Sequence, residues 1–573
     1  MIVSALNEYY TRLADDKSVE ISPLGFSRQK IAFEVVISKD GNRFTVNDAR
    51  IKEGKSERPR LLIVPGGAKP SGSGINPCFM WDNSAYMLSY KIDDANQERT
   101  KESFEAFRQR HLDLDGEIDD EHFSLVCKFL STYKPNDKVR TAIDEIGSGF
   151  GVFRIEGSKG YVHDRKKINS WWVENLGSDQ DEAELGQCLV TGKTDVRLAR
   201  IHEPKIKGVS GAQSSGASIV SFNFDAAESF DKEQGSNSPV SEEVAFQYST
   251  ALNYLLNSKQ RIRIGDATTV FWTDKPSPAE DWLGRIIDTT DAEDDSTKTK
   301  LGSILKTIAQ GGFPADFGDQ DTEFYVLGLS PNAARISIRF WLRSSLKQLV
   351  DSLRQHFVDL EISHSDNDNP YPALWQLLAE TARESKDISP QLSGSLTRSV
   401  LTGQLYPQAF FAAVIRRIKA DREIRHRRAA ILKAFLNRHF RIHQPEKKEI
   451  TVALDPDRKE VAYQLGRLFA QLEKAQEDAQ PTVNDTIKDR FFGSASATPA
   501  SVFPRIIRMS QHHLGKLEGG SKIYHEKSIQ QIYSNFEDFP NHLNLQEQGL
   551  FSIGYYHQRQ HIFTKKEKPS SQS

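Results

Sequence analysis

The sequence predicts an α+β fold: a loop-rich mixed α/β N-terminal region followed by an all-helical bundle as the C-terminal domain. Three observations carry this prediction. KIAFEVVIS (30–38) and GFGVFRIEG (149–157) have the short apolar character of half-buried strands. EFYVLGLSPNAARISIRFWLR (323–343) reads as a hairpin with Pro331 and Asn332 in its turn. From Arg343 onward nearly every segment spaces its apolar residues three and four apart, as helices do.

A chain of 573 residues exceeds what one hydrophobic core sustains, which is roughly 250–300 residues. The expected parts are 1–150, 151–342 and 343–573. The first opens with the amphipathic MIVSALNEYYTRLADD, continues into strands to about residue 60, and reaches the apolar LLIVP. A loop follows that holds Gly66, Gly67, Gly72 and Gly74 around Lys69, Ser71, Ser73 and Asn76. SFEAFRQRHLDL and EHFSLVCKFL are helical in pattern. The second part mixes short strands with loops and contains HEPKIKGVSGAQSSGASIVSFN (202–223), rich in Gly, Ser and Lys between apolar anchors. Asp288, Asp291, Glu293, Asp294 and Asp295 form an acidic run with the character of a solvated linker, and KKEKPSSQS has that of a frayed terminus.

Composition bounds the function. With 75 Lys and Arg against 78 Asp and Glu, any nucleic-acid binding rests on local concentrations of cations. Cys78, Cys127 and Cys188 have neither zinc-site nor disulfide-framework spacing, which fits a reducing cytoplasm. No run approaches the ~18 apolar residues of a membrane span.

The first glycine loop lacks GxxxxGK[ST] spacing, so a nucleotide-binding P-loop is disfavoured. Its glycines permit close backbone approach, and Lys69, Ser71, Ser73 and Asn76 offer donors to phosphates or base edges. The second loop adds Lys205, Lys207 and Gln213, two cations and an amide suited to adenine. Either loop also reads as an ordinary exposed turn. Arg416 to Arg441 holds ten Lys or Arg against two acids on a helix-compatible pattern. Ile415, Ile418, Ile424, Ala430, Ile431, Phe435 and Leu436 form its apolar stripe. That leaves Arg422, Arg425, Arg428, Lys433 and Arg438 for a phosphate backbone, or for a solvated face. Trp171, Trp172, Phe271 and Trp272 suit base stacking or a core. His512 with His513, and His557 with His561, lack the companion glutamate of an HExxH helix. No GxSxG elbow, EF-hand loop or two-metal carboxylate cluster occurs in a convincing context, so an enzyme is not expected, and neither is a cofactor or metal.

Several long phrases, in order, resemble the type I-C CRISPR Cascade large subunit, the Dvulg-subtype CRISPR-associated family. They include SALNEYYTRL, CFMWDNSAYML, NSPVSEEVAFQYSTALNYLL, IGDATTVFWTD, YQLGRLFAQLEKAQ, TIKDRFFGSASATPASVFPRI and EQGLFSIGYYHQR, together with the two segments already described. The resemblance spans nearly the whole chain. It implies a subunit of a crRNA-guided surveillance complex that recognises a protospacer-adjacent motif in double-stranded DNA, helps open the duplex and holds the displaced strand. Its implied partners are crRNA, target DNA, the Cascade backbone and small subunits, and a nuclease-helicase recruited after R-loop formation. It further implies that 452–573 resembles a small subunit, made separately from a start near Val452. The internal methionines are Met80, Met87 and Met509, so such a start needs a non-standard codon. Within that picture Lys69, Ser71, Ser73, Asn76, Lys205, Lys207 and Gln213 are the expected motif readers, a choice made from their chemistry. The rival readings are an architectural subunit bridge and a stand-alone metal-dependent nuclease.

Overall fold

The computed structural model describes residues 2–53, 56–69, 74–176, 184–265, 267–287, 295–365, 367–482 and 485–563. Ser71, Ser73 and the acidic residues 288–294 lie outside them. The chain forms two compact units, one of residues 1–208, 212–254 and 333–335, the other of 209–211, 255–332 and 336–573. The boundaries expected at 150 and 342 fall inside strands, because sheet pairing carries the chain across both positions.

The first unit begins with α1 (Ile2–Asp15) and continues through β1 (Phe26–Ile37), β2 (Phe44–Asp48), β3 (Ile51–Glu53), β4 (Ser56–Arg58), β5 (Arg60–Pro65) and β6 (Trp81–Asn83). Four helices follow, α2 (Ser84–Leu88), α3 (Gln97–Asp113), α4 (Glu121–Thr132) and α5 (Asp137–Ile146), then β7 (Phe150–Ile155) and α6 (Lys166–Glu174). β1 is the spine of a five-stranded sheet: its first half pairs with β5, its second half with β2, and β7 runs parallel beside it with β6 outside. The central residues of β1 read as an almost unbroken apolar run because both sheet faces are covered. One face buries Phe33, Val35, Ile37 and Phe153 with Phe107, Phe123 and Phe129 of α3 and α4. The other buries Ile31, Val64, Trp81 and Val152. Trp171 and Trp172 pack on the first core, and Trp172 stacks on Phe79 with ring centres 5.1 Å apart. From 184 to 241 the chain is mostly irregular, with only β8 (Leu185–Gly186) and β9 (Val196–Arg197) as strands, before α7 (Glu242–Leu256).

The second unit pairs β10 (Arg261–Ile264), β11 (Ala267–Thr273), β12 (Glu323–Asn332) and β13 (Arg335–Ser345) in that order, with α8 (Ala279–Ile287) and α9 (Asp295–Ala309) between the middle strands. β12 runs through Pro331 and Asn332, so the hairpin turns at Ala333 and Ala334, where Ala333 has φ 52°. Phe271 and Trp272 are buried core residues of β11. Helices then take over: α10 (Leu346–Leu360), α11 (Leu374–Ala379), α12 (Pro390–Thr402), α13 (Gln408–Asp421), α14 (His426–His443), α15 (Val461–Ala479), α16 (Ile487–Ala495), α17 (Pro499–Leu514), α18 (Gly519–Tyr533) and α19 (Leu545–Phe563). Val452 lies in the irregular stretch between α14 and α15, and its carbonyl accepts from Ser363 N–H at 2.9 Å. No described helix is long and apolar enough to cross a membrane.

α15 and α19 touch backbone to backbone. A Cβ at Gly466 would lie 1.9 Å from the Phe551 carbonyl oxygen, and one at Gly554 would lie 2.1 Å from that of Tyr463. Gly466→Ala is therefore expected to destabilise the protein by at least ~1–3 kcal/mol in denaturant unfolding. Gly493→Ala, in α16 with open space around its Cβ position, is expected to stabilise by up to ~1 kcal/mol. Equal effects from the two would contradict the contact.

Burial lowers the pKa of His111 and His202 to about 4, and of His356 and His557 to about 3. The unfolded chain takes up protons near pH 6.5 while these folded sites resist, so stability falls as pH drops from about 6.5 toward 4. Unfolding midpoints at pH 7, 5.5 and 4.5 test this, with a shallower decline expected for His202→Gln.

Candidate nucleic-acid interface

The first glycine loop links β5 to β6. Lys69 turns inward, and its ammonium reaches the Asn76 carbonyl at 2.6 Å, the fully buried Asp82 carboxylate, and the face of Tyr86 at 3.4 Å from the ring centre. Cys78 N–H also donates to Asp82 at 2.9 Å. Burial raises the Asp82 pKa, while Lys69 opposes the rise. Burial, with Asp82 beside it, also pushes the Cys78 thiol up to about 12. The expected motif reader Lys69 is thus the latch at the loop's base, because a buried carboxylate needs a cation. Asn76 is exposed, and its N–H donates to Tyr86 Oη at 3.3 Å.

The second loop is pinned at its neck. Ile206 and Ala217 exchange two backbone hydrogen bonds of 2.9 Å, and Gly216 N–H donates to the Gln213 carbonyl at 3.0 Å. Gly216 has φ +99°, and a Cβ there would meet the Lys205 Cβ at 2.7 Å, so the neck requires glycine. Lys205, Lys207 and Gln213 are all exposed. Three of the residues expected to read a motif therefore share one held loop. Missed in the sequence is Asn253 of α7, whose side chain bonds the backbone of both lysines at 2.8 and 3.0 Å. No local signal marks it, because the contact joins positions 46 and 48 residues apart.

The basic segment departs most from expectation. It is two helices, α13 and α14, broken where Arg422 adopts φ 57°. Arg428 pairs with Glu380 at 2.9 Å and Asp421 at 2.6 Å. Lys433 donates to the carbonyls of Val358 and Asp359, and burial lowers its pKa. Arg438 pairs with Asp359 at 2.9 Å and lies over Tyr406. All three are buried, so they are not phosphate contacts: α14 carries apolar residues on nearly every face and is surrounded. Arg422 and Arg425 stay exposed at the elbow, Arg425 paired with Glu423 at 2.7 Å. A cationic face absent from the sequence expectation is that of α17, where Arg505, Arg508, His512 and Lys516, just past its end, are all exposed. Their spacing of about one helical turn was the signal available. His557 is buried against Tyr463 Oη at 2.9 Å while His561 is exposed, so this pair does not converge. No described group of three His, Cys, Asp or Glu residues is arranged to hold a metal.

Removing Lys69 while keeping Asp82 leaves a buried carboxylate without its cation. Lys69→Met is expected to cost ~3 kcal/mol or more, and adding Asp82→Asn is expected to restore much of that loss. Thermal melts of the single and double variants measure it, and no rescue would contradict the latch.

Comparison with curated proteins finds no match. The family model described as CRISPR-associated protein (Cas_Csd1) matches residues 6–563. That span includes both glycine loops, the basic segment and the bundle, and so the chain belongs to the CRISPR-associated Csd1 family, the large subunit of type I-C Cascade.

Proposed function

We propose that this Cascade subunit reads the motif flanking a target in double-stranded DNA, helps open the duplex and stabilises the R-loop, and supports recruitment of a nuclease-helicase, without being an enzyme itself. The observation that carries the reading is the pinned loop that presents Lys205, Lys207 and Gln213 outward. Motif reading in a groove needs a backbone held close, cations that set register on phosphates, and an amide or guanidinium that bonds a base edge. Asn76, exposed on the first loop, is a second amide of the right kind. Arg422 and Arg425 at the α13–α14 elbow serve as strand contacts that position without specifying. The guide RNA supplies the rest of the sequence recognition by base pairing.

The test is binding of the reconstituted complex to duplexes that share a matched protospacer and differ only in the flanking motif. The wild type is expected to discriminate, and an Asn76, Lys205 and Gln213 alanine set to lose that discrimination by roughly tenfold or more, as expected for losing directed base contacts. Arg422→Ala with Arg425→Ala is expected to weaken all duplexes alike. A wild-type complex indifferent to the motif would overturn the reading.

A further inference from the structure

We propose that Asn253 is a positioning residue that locks Lys205 and Lys207 into one outward-facing pair for phosphates of a single strand, leaving Gln213 at the loop tip to meet a base edge. This rests on the motif-reading function proposed above and divides that function among the loop's residues.

The geometry begins with three consecutive residues. Ile206 is buried at 2% exposure, while Lys205 and Lys207 on either side are exposed. In extended backbone, alternate side chains share a face, so burying Ile206 turns both lysines to the same outer side, about 6.6 Å apart along the chain. Phosphates of one strand follow each other every ~3.4 Å of helix axis, so this span covers about two such steps along a single strand. Ile206 is held on one edge by the paired bonds to Ala217.

Asn253 closes the flanking backbone groups. Its Oδ1 accepts from Lys207 N–H at 2.8 Å, and its Nδ2 donates to the Lys205 carbonyl at 3.0 Å. A primary amide presents one acceptor and a donor side by side, as a neighbouring strand does, so a single side chain from α7 does the work of a paired strand. The Glu203 carboxylate accepts from Lys205 N–H at 2.9 Å, which ties it to backbone at the same place. The two lysines are thus fixed at the backbone while their ammonium groups remain outside. Gln213, seven positions from Ile206 and outside this clamp, holds its backbone carbonyl in the turn to Gly216 and leaves its side-chain amide exposed.

The roles separate by salt dependence. Each phosphate contact contributes about 0.9 to the slope of log affinity against log salt. In the reconstituted complex, Lys205→Ala with Lys207→Ala is expected to reduce the slope by about 1.8 for matched and unmatched motifs alike. Gln213→Ala is expected to keep the slope and lose roughly tenfold in motif discrimination. Asn253→Asp keeps the shape and the Lys207 bond but sets an oxygen against the Lys205 carbonyl, and is expected to reduce the slope by about 0.9 or more. Asn253→Ala is expected to act in the same direction, and the isosteric variant gives the reading if alanine prevents assembly. If the lysine pair lowers the slope and Asn253→Asp does not, Asn253 positions nothing and the inference is wrong. If the wild type discriminates but the lysine pair leaves the slope unchanged, the phosphate assignment is wrong. A wild type indifferent to the motif overturns the parent function instead.

Discussion

The helical bundle is organised around the crossing where α15 and α19 meet through Gly466 and Gly554. Each glycine lies against the other helix's backbone, so neither helix can slide or rotate without a collision. Phe469 of α15 packs against Phe551 and Tyr555 of α19, and polar groups of both helices are buried as well. Several of those groups are satisfied in series. Arg467 donates to Gln558 at 3.1 Å, Gln558 to Gln471 at 3.1 Å, and Gln471 meets His525 at 2.9 Å. Glu473 accepts from Tyr555 and Thr486. Buried polar groups left without partners cost ~1–3 kcal/mol each, so one register of the two helices satisfies the chain of bonds and shifted registers do not.

The same economy governs the charges of α13 and α14. Asp359, from α10, has no exposed side-chain surface and takes both Arg438 and Arg441. Glu380 and Asp421 take Arg428. A helix so surrounded cannot offer these cations to a nucleic acid without leaving carboxylates buried and alone. A local charge of +8 in sequence therefore leaves a much smaller exposed patch, concentrated where Arg422 breaks the helix.

The two glycine loops show how similar compositions part company. In the first, a buried aspartate on β6 draws Lys69 inward. In the second, a buried isoleucine between two lysines and an amide from a distant helix turn both lysines outward. Family membership places the chain in type I-C Cascade, and the loops differ in what they can present to its target.

Sequence by itself determined the α+β order, the strands at 30–38 and 149–157, the helical character beyond residue 343, and the family. These are written in local periodicity and long ordered phrases, which need no knowledge of contacts. Tertiary structure decided the fate of the charged side chains. Lys69, Arg428, Lys433 and Arg438 each meet at least one partner 13 to 79 positions away. Trp272 likewise enters a core rather than a stacking surface. Nothing local records such distant counterparts: a cation's preference for solvent or for a buried carboxylate depends on what folding brings beside it.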